Sequence, residues 1–129
     1  MSVGFSGRQL AITILMGVVL WFVAAMMLKY LEPMGVLDGN ARLLTYALII
    51  PGTVPFVFLI KMVAGLGGHQ LALGLSLATG TALLCDGVAT AWFPELYGPD
   101  NDSVLRSAAA ILWGGGAAIM LGFLFNRAE

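Results

Sequence analysis

The sequence predicts an all-α membrane protein, a bundle of four transmembrane helices that run up-down-up-down. The 129 residues are 60% hydrophobic and only 10% charged, whereas soluble domains carry about 25% charged residues. So few charges cannot cover a water-exposed surface. Four apolar segments are each long enough to cross a bilayer, which takes about 20 residues. The connections between them are short, which favours sequential helices packed as antiparallel neighbours.

The predicted spans lie in one domain that covers residues 1–129. They cover about residues 9–28, 43–60, 70–92 and 106–125. The links between them contain proline and glycine, such as Pro33 and Gly35 in the first, and this composition is typical of turns. In the third link, Ser103 or Asp102 is the predicted N-cap of the fourth helix.

Composition and motifs exclude several classes of protein. The net charge of −1 leaves no basic surface for nucleic acid. A single cysteine, Cys85, cannot form an intramolecular disulfide. The sequence contains no phosphate-binding glycine loop, nucleophile elbow or zinc motif. We therefore predict a protein that is not an enzyme, binds no metal or cofactor, and has the lipid bilayer as its surroundings.

Charged and aromatic residues are distributed unevenly between the two sides of the membrane. Three basic residues fall on each side, but most acids fall on the side of the first and third links. We expect both termini in the cytoplasm, although acids contribute little to the rule that governs orientation. Aromatic residues expected at the membrane interface cluster on the acidic side: Tyr30, Trp92, Phe93 and Tyr97.

Asp86 is the first candidate for function, because it lies within the third span, roughly 10 Å below the interface. A charge at such depth costs at least about 2.5–3.5 kcal/mol, so Asp86 should face the interior of the bundle. Ser76, Thr79 and Thr90 share its helical stripe. Asp86 is then either a protonatable site in a polar seam or a neutral, hydrogen-bonded acid that joins two helices.

The second span contains PGTVP, with prolines at positions 51 and 55. Each proline lacks an N–H and frees a carbonyl four residues earlier, which must find a partner inside the protein. Pro51 and Pro55 therefore predict a kinked second helix. The alternative is a broken helix that forms a binding site, as in transporters.

Depth along the helices places further groups at the level of Asp86. These are the Ala47–Pro51 turn, Trp113, and Trp21 with Phe22. A protonated Asp86 could donate to the Ala47 carbonyl, and an ionised one could accept from the Trp113 indole. Tyr46 lies close to this level. The predicted substrate or proton site thus comprises Asp86, Ser76, Thr79, Thr90, Trp113, Tyr46, Pro51 and Pro55.

Glycines at positions 114, 115 and 116 occupy the middle of the fourth span. Small residues let membrane helices approach closely, and a hinge is the alternative interpretation. Because four short helices bury little surface, we expect a homodimer, or docking onto a larger membrane complex.

Two segments, YALIIPGTVPF at 46–56 and LLCDGVATAWFPELYG at 83–98, resemble a family of small bacterial inner-membrane proteins of unknown function. The resemblance implies four spans and a location in a bacterial inner membrane, and it implies no activity. The chain does not resemble the small multidrug transporters, because its first helix lacks an acid. It also lacks the asparagine and phenylalanine pattern of the fluoride channels.

Two functional hypotheses remain open from the sequence. The first is a carrier or permease for a small solute or ion, with a polar seam around Asp86. The second is a non-catalytic accessory or structural subunit of a larger membrane complex, because the spans contain no second acid that could form a relay with Asp86. A cavity that contains Asp86 would favour the first hypothesis, and dry packing around Asp86 would favour the second.

Overall fold

The computed structural model describes residues 4–128 and contains four long helices. Helices α1 to α4 cover Gly7–Leu31, Gly39–Ala64, Leu71–Trp92 and Asn101–Phe125. All four are long and apolar enough to cross a membrane. The chain is therefore a small integral membrane protein with several spans, and the predicted all-α fold class is confirmed.

Three of the helices are longer than the predicted spans. Hydropathy marks only the part of a helix that lies in hydrocarbon, whereas the hydrogen-bonded helix continues to a capping residue. Ser6, Asp38 and Asp100 cap α1, α2 and α4. The prediction of Ser103 or Asp102 as the last cap is wrong, because Asp100 accepts from the backbone N–H of Ser103 at 2.8 Å. That hydrogen bond holds the pKa of the Asp100 carboxyl below its usual range.

The helices alternate in direction, but only one pair of sequential helices packs extensively. Helix α1 packs most extensively on α3, α3 and α4 on each other, and α2 on α4. Helices α1 and α2 share a smaller contact, and so do α2 and α3. The expectation that sequential helices pack side by side therefore holds well only for α3 and α4. Within a membrane, close packing of small residues decides which helices associate.

Two glycines mark the closest helix crossings. A Cβ at Gly17 would lie 2.6 Å from the Ala78 carbonyl oxygen, where α1 crosses α3. A Cβ at Gly122 would lie 2.6 Å from the Leu75 Cβ, where α4 crosses α3. Within the predicted central triplet, only position 115 comes as near as 3.3 Å to a neighbour, the Leu83 side chain. The closest approaches therefore lie outside the triplet, and α4 continues through it as one helix.

Three further glycines border open space. A Cβ at Gly80, Gly87 or Gly116 would meet no atom within 4 Å. These positions on α3 and α4 are free to approach a second molecule. Self-association stays a prediction.

Hydrogen bonds close the end of the bundle at which both ends of the described chain lie. Gln9 donates to the Gly65 carbonyl at 2.9 Å, and Gln70 donates to the Gly4 carbonyl at 2.6 Å. The backbone N–H of Arg127 donates to the Gly68 carbonyl at 2.9 Å. Both ends of the described chain therefore lie beside the link between α2 and α3.

A partly buried ion pair joins the opposite end of α1 to α4. The Glu32 residue is only 7% exposed. Its Oε1 accepts from the Nε of Arg106 at 3.0 Å and from the Nη2 at 2.8 Å. The sequence did not predict this pair. Glu32 directly follows α1 and Arg106 lies in α4, so the two residues are far apart in sequence and only the tertiary structure brings them together.

Candidate functional site

A cavity of about 540 Å³ lies between the four helices. Every helix contributes to its wall, and most of the lining side chains are apolar. Its volume lies within the range of about 300–1,000 Å³ that is typical of small-molecule sites. Asp86 provides the one carboxyl group among the described residues of the wall.

The cavity is closed at the back and open at the side. Its wall on α3 and α4 includes the buried residues Leu75, Ala78 and Ala110. On α1 and α2 the wall includes Met27 and Leu48, which are 49% and 58% exposed. Because these two wall residues are exposed, the cavity is open on the side of α1 and α2, toward the space that lipid occupies.

A chain of hydrogen bonds ends at Asp86. The indole N–H of Trp21 donates to the Tyr97 hydroxyl at 3.0 Å. The Tyr97 hydroxyl donates to Oδ1 of Asp86 at 2.6 Å. An indole nitrogen can only donate, so the hydroxyl proton of Tyr97 is directed to the carboxyl group. Oδ1 is therefore an acceptor in this arrangement.

Tyr97 is fixed in position by its surroundings. It is 0% exposed, and its carbonyl accepts from the Ser107 hydroxyl at 2.8 Å. Burial raises the pKa of its hydroxyl, and the hydrogen bond to Asp86 raises it further. The prediction that Tyr97 lies at the membrane interface is wrong, because the link after α3 folds it inward. Tyr30, Trp92 and Phe93 are exposed, as expected for interface residues.

Asp86 makes no hydrogen bond with either of its two predicted partners, the Trp113 indole and the Ala47 carbonyl. Trp113 donates to the Tyr46 carbonyl at 2.9 Å and stacks on the Tyr46 ring, with centroids 5.4 Å apart. Trp113 and Tyr46 therefore join α4 to α2. The predicted contact of Asp86 with Trp113 or with the Ala47 carbonyl is wrong, because Tyr97 takes that place.

The predicted polar stripe on α3 is only partly continuous. Thr79 and Asp86 both lie in the cavity wall, whereas Ser76 does not. The Thr90 hydroxyl donates to the Asp86 backbone carbonyl at 2.7 Å. This bond satisfies Thr90 within its own helix, so the polar part of the wall on α3 reduces to Thr79 and Asp86.

The prolines of α2 lie away from the cavity. Pro51 and Pro55 are both exposed, and α2 continues through them as one helix. The interpretation of a broken helix is therefore wrong, and the kink stays a prediction. Gly52, next to Pro51, lies in the cavity wall and leaves open space there.

The sequence did not predict the hydrogen bonds that Trp21 and Tyr97 make in the structure. Trp21 was placed at the correct depth, and a tryptophan in the middle of a span needs a partner for its N–H. That requirement was an available signal. No comparable signal existed for Tyr97, because a tyrosine in a link is usually an interface residue.

Comparison with known proteins adds no relative. No family model matches the chain, and no curated protein or solved structure matches it either.

Proposed function

We propose that this membrane protein is a carrier for a small amphipathic molecule that enters from the lipid between α1 and α2. The observation that supports this most is the apolar cavity of about 540 Å³ with Asp86 in its wall. An apolar ligand body would replace lipid contacts in the cavity, and its polar group would meet the carboxyl group. Orientation by a few polar groups in an apolar pocket is typical of small-molecule sites.

A small inorganic ion fits this cavity poorly. Hard cations such as Ca²⁺ bind about 6–8 oxygen ligands. The wall offers one carboxyl group together with threonines such as Thr45 and Thr53. The hydroxyls of both threonines donate to backbone carbonyls, those of Val36 and Ile49. An amphipathic organic molecule is therefore the better candidate.

Contact quenching of Trp21 by bromododecanol would test the site. In a Trp92→Phe, Trp113→Phe protein, Trp21 is the remaining tryptophan and lies in the cavity wall. In lipid nanodiscs, we expect bromododecanol to quench it in a saturable manner, with unbrominated dodecanol restoring the fluorescence. Saturation is expected because a cavity holds a limited number of ligands. Quencher that is only dissolved in the lipid would instead quench in proportion to its concentration.

Two matched substitutions on α1 control this measurement. Ala24 lies in the cavity wall at the opening, whereas Ala11 is exposed outside the wall. Ala24→Phe should abolish saturable quenching by filling the opening, and Ala11→Phe should leave it unchanged. Quenching that never saturates and is equal in all three proteins would refute the carrier and favour the accessory-subunit hypothesis.

We also propose that the protein lies in a bacterial inner membrane with both termini in the cytoplasm. The acids on the side of the first and third links support this orientation. In a Cys85→Ala background, Glu95→Cys and His69→Cys place thiols at exposed positions on opposite ends of the bundle. An impermeant maleimide should label position 95 in intact spheroplasts and position 69 only after lysis. The reverse pattern would invert the orientation.

A further inference from the structure

An ionised Asp86 would have no countercharge in the cavity. The polar groups beside it are the Tyr97 hydroxyl, which donates to its Oδ1, and the Trp21 indole of α1, which donates to Tyr97. The Cys85 thiol acts electrostatically on Tyr97. No basic side chain of residues 4–128 lies in the cavity wall. Arg106 of α4, which does not line the cavity, is already paired with Glu32.

The hydrogen bond from Tyr97 leaves one of the two carboxyl oxygens of Asp86 available to a ligand. Oδ1 is occupied by the Tyr97 hydroxyl. The hydrogen bonds of the described residues leave Oδ2 free, and Asp86 lines the cavity. An ionised carboxylate can accept several hydrogen bonds, so the free oxygen can accept from a donor in the cavity. A buried carboxylate without a cation is costly, and either a proton or a cation removes that cost.

We propose that the ligand is a lipophilic primary amine whose ammonium group binds Asp86 in competition with a proton. This inference rests on the proposed function, because it assigns the ligand class of the same cavity. The apolar wall would bury the hydrocarbon body, and the ammonium group would supply the missing countercharge. Binding of the amine requires that Asp86 release its proton, so amine and proton exchange at one carboxyl group.

Competition with protons gives the pH dependence a definite sign. Acidification protonates Asp86 and removes the negative charge, so binding of the amine should weaken as the pH falls. An aliphatic amine has a pKa of about 10.4, so it stays charged below about pH 9. The change in affinity would therefore come from the protein. Binding of an uncharged alcohol of the same length should change little over the same range.

Bromododecylamine and bromododecanol form a matched pair of probes for the single-tryptophan protein. At pH 8, with the probe concentration given as moles of probe per mole of lipid, we expect the amine to bind about tenfold more tightly than the alcohol. A tenfold difference in affinity corresponds to about 1.4 kcal/mol. Asp86→Asn should remove that difference. The amide oxygen can still accept from Tyr97, so the variant should keep the fold and continue to bind the alcohol.

The outcomes separate this inference from the proposed function. Equal, saturable binding of both probes would refute the amine preference and leave the carrier intact. An amine preference that survives Asp86→Asn, or that strengthens in acid, would also refute it. Absence of saturable binding for either probe would refute the proposed function itself.

Discussion

Gly122→Ala and Gly17→Ala are expected to destabilise the protein by about 1–3 kcal/mol each, the cost of overpacking a tight contact. The added methyl at position 122 would lie 2.6 Å from the Leu75 Cβ and 3.1 Å from the Leu71 carbonyl oxygen. The methyl at position 17 would lie 2.6 Å from the Ala78 carbonyl oxygen. Backbone atoms cannot rotate away, so α1 or α4 must shift relative to α3.

Gly116→Ala is the matched control, because it adds the same methyl to α4 where no atom lies within 4 Å. Alanine is favoured over glycine inside a helix by about 0.5–1 kcal/mol, so this variant should be neutral or slightly more stable. Unfolding free energies in mixed micelles of mild detergent and dodecyl sulfate would measure the series. Equal stabilities for Gly122→Ala and Gly116→Ala would contradict the close crossing of α3 and α4.

Tyr97→Phe is expected to cost about 1–3 kcal/mol, the penalty for leaving buried polar groups without partners. The substitution removes the hydroxyl that bridges Trp21 and Asp86 while keeping the ring. Asp86→Leu should also destabilise, because it removes the acceptor of that hydroxyl. The double variant should lose less than the two single losses combined, with a coupling of about 0.5–3 kcal/mol.

Two further substitutions are controls for this comparison of the single and double variants. Tyr30→Phe removes a hydroxyl from a tyrosine that is 68% exposed, and its stability should match that of the wild type. Asp86→Asn should be far better tolerated than Asp86→Leu, because its amide oxygen can accept from Tyr97. The same unfolding measurement applies. Strictly additive losses for the Tyr97 and Asp86 substitutions would show that the hydrogen bond between them contributes nothing to stability.

The sequence singled out Asp86 as a polar residue within the third helix but could not identify its partners. Counting residues along each helix gives depth in the membrane. It placed Trp113, Ala47 and Trp21 at about the level of Asp86, and only the first two were predicted as its partners. Depth does not give rotation about the helix axis, and rotation decides which side chain faces the interior. In the structure Trp21 is connected to Asp86 by hydrogen bonds through the Tyr97 hydroxyl, whereas Trp113 donates to the Tyr46 carbonyl.

By itself, the sequence determined that the protein has four long helices and belongs in a membrane. Both follow from local properties: the apolar content of each segment and its length relative to a bilayer. The tertiary structure alone decided that α1 packs on α3 rather than mainly on α2, that Glu32 pairs with Arg106, and that a cavity opens beside Asp86. These features depend on how side chains far apart in sequence fit together. In lipid, where every helix is already apolar, such fitting rather than hydrophobicity selects the neighbours.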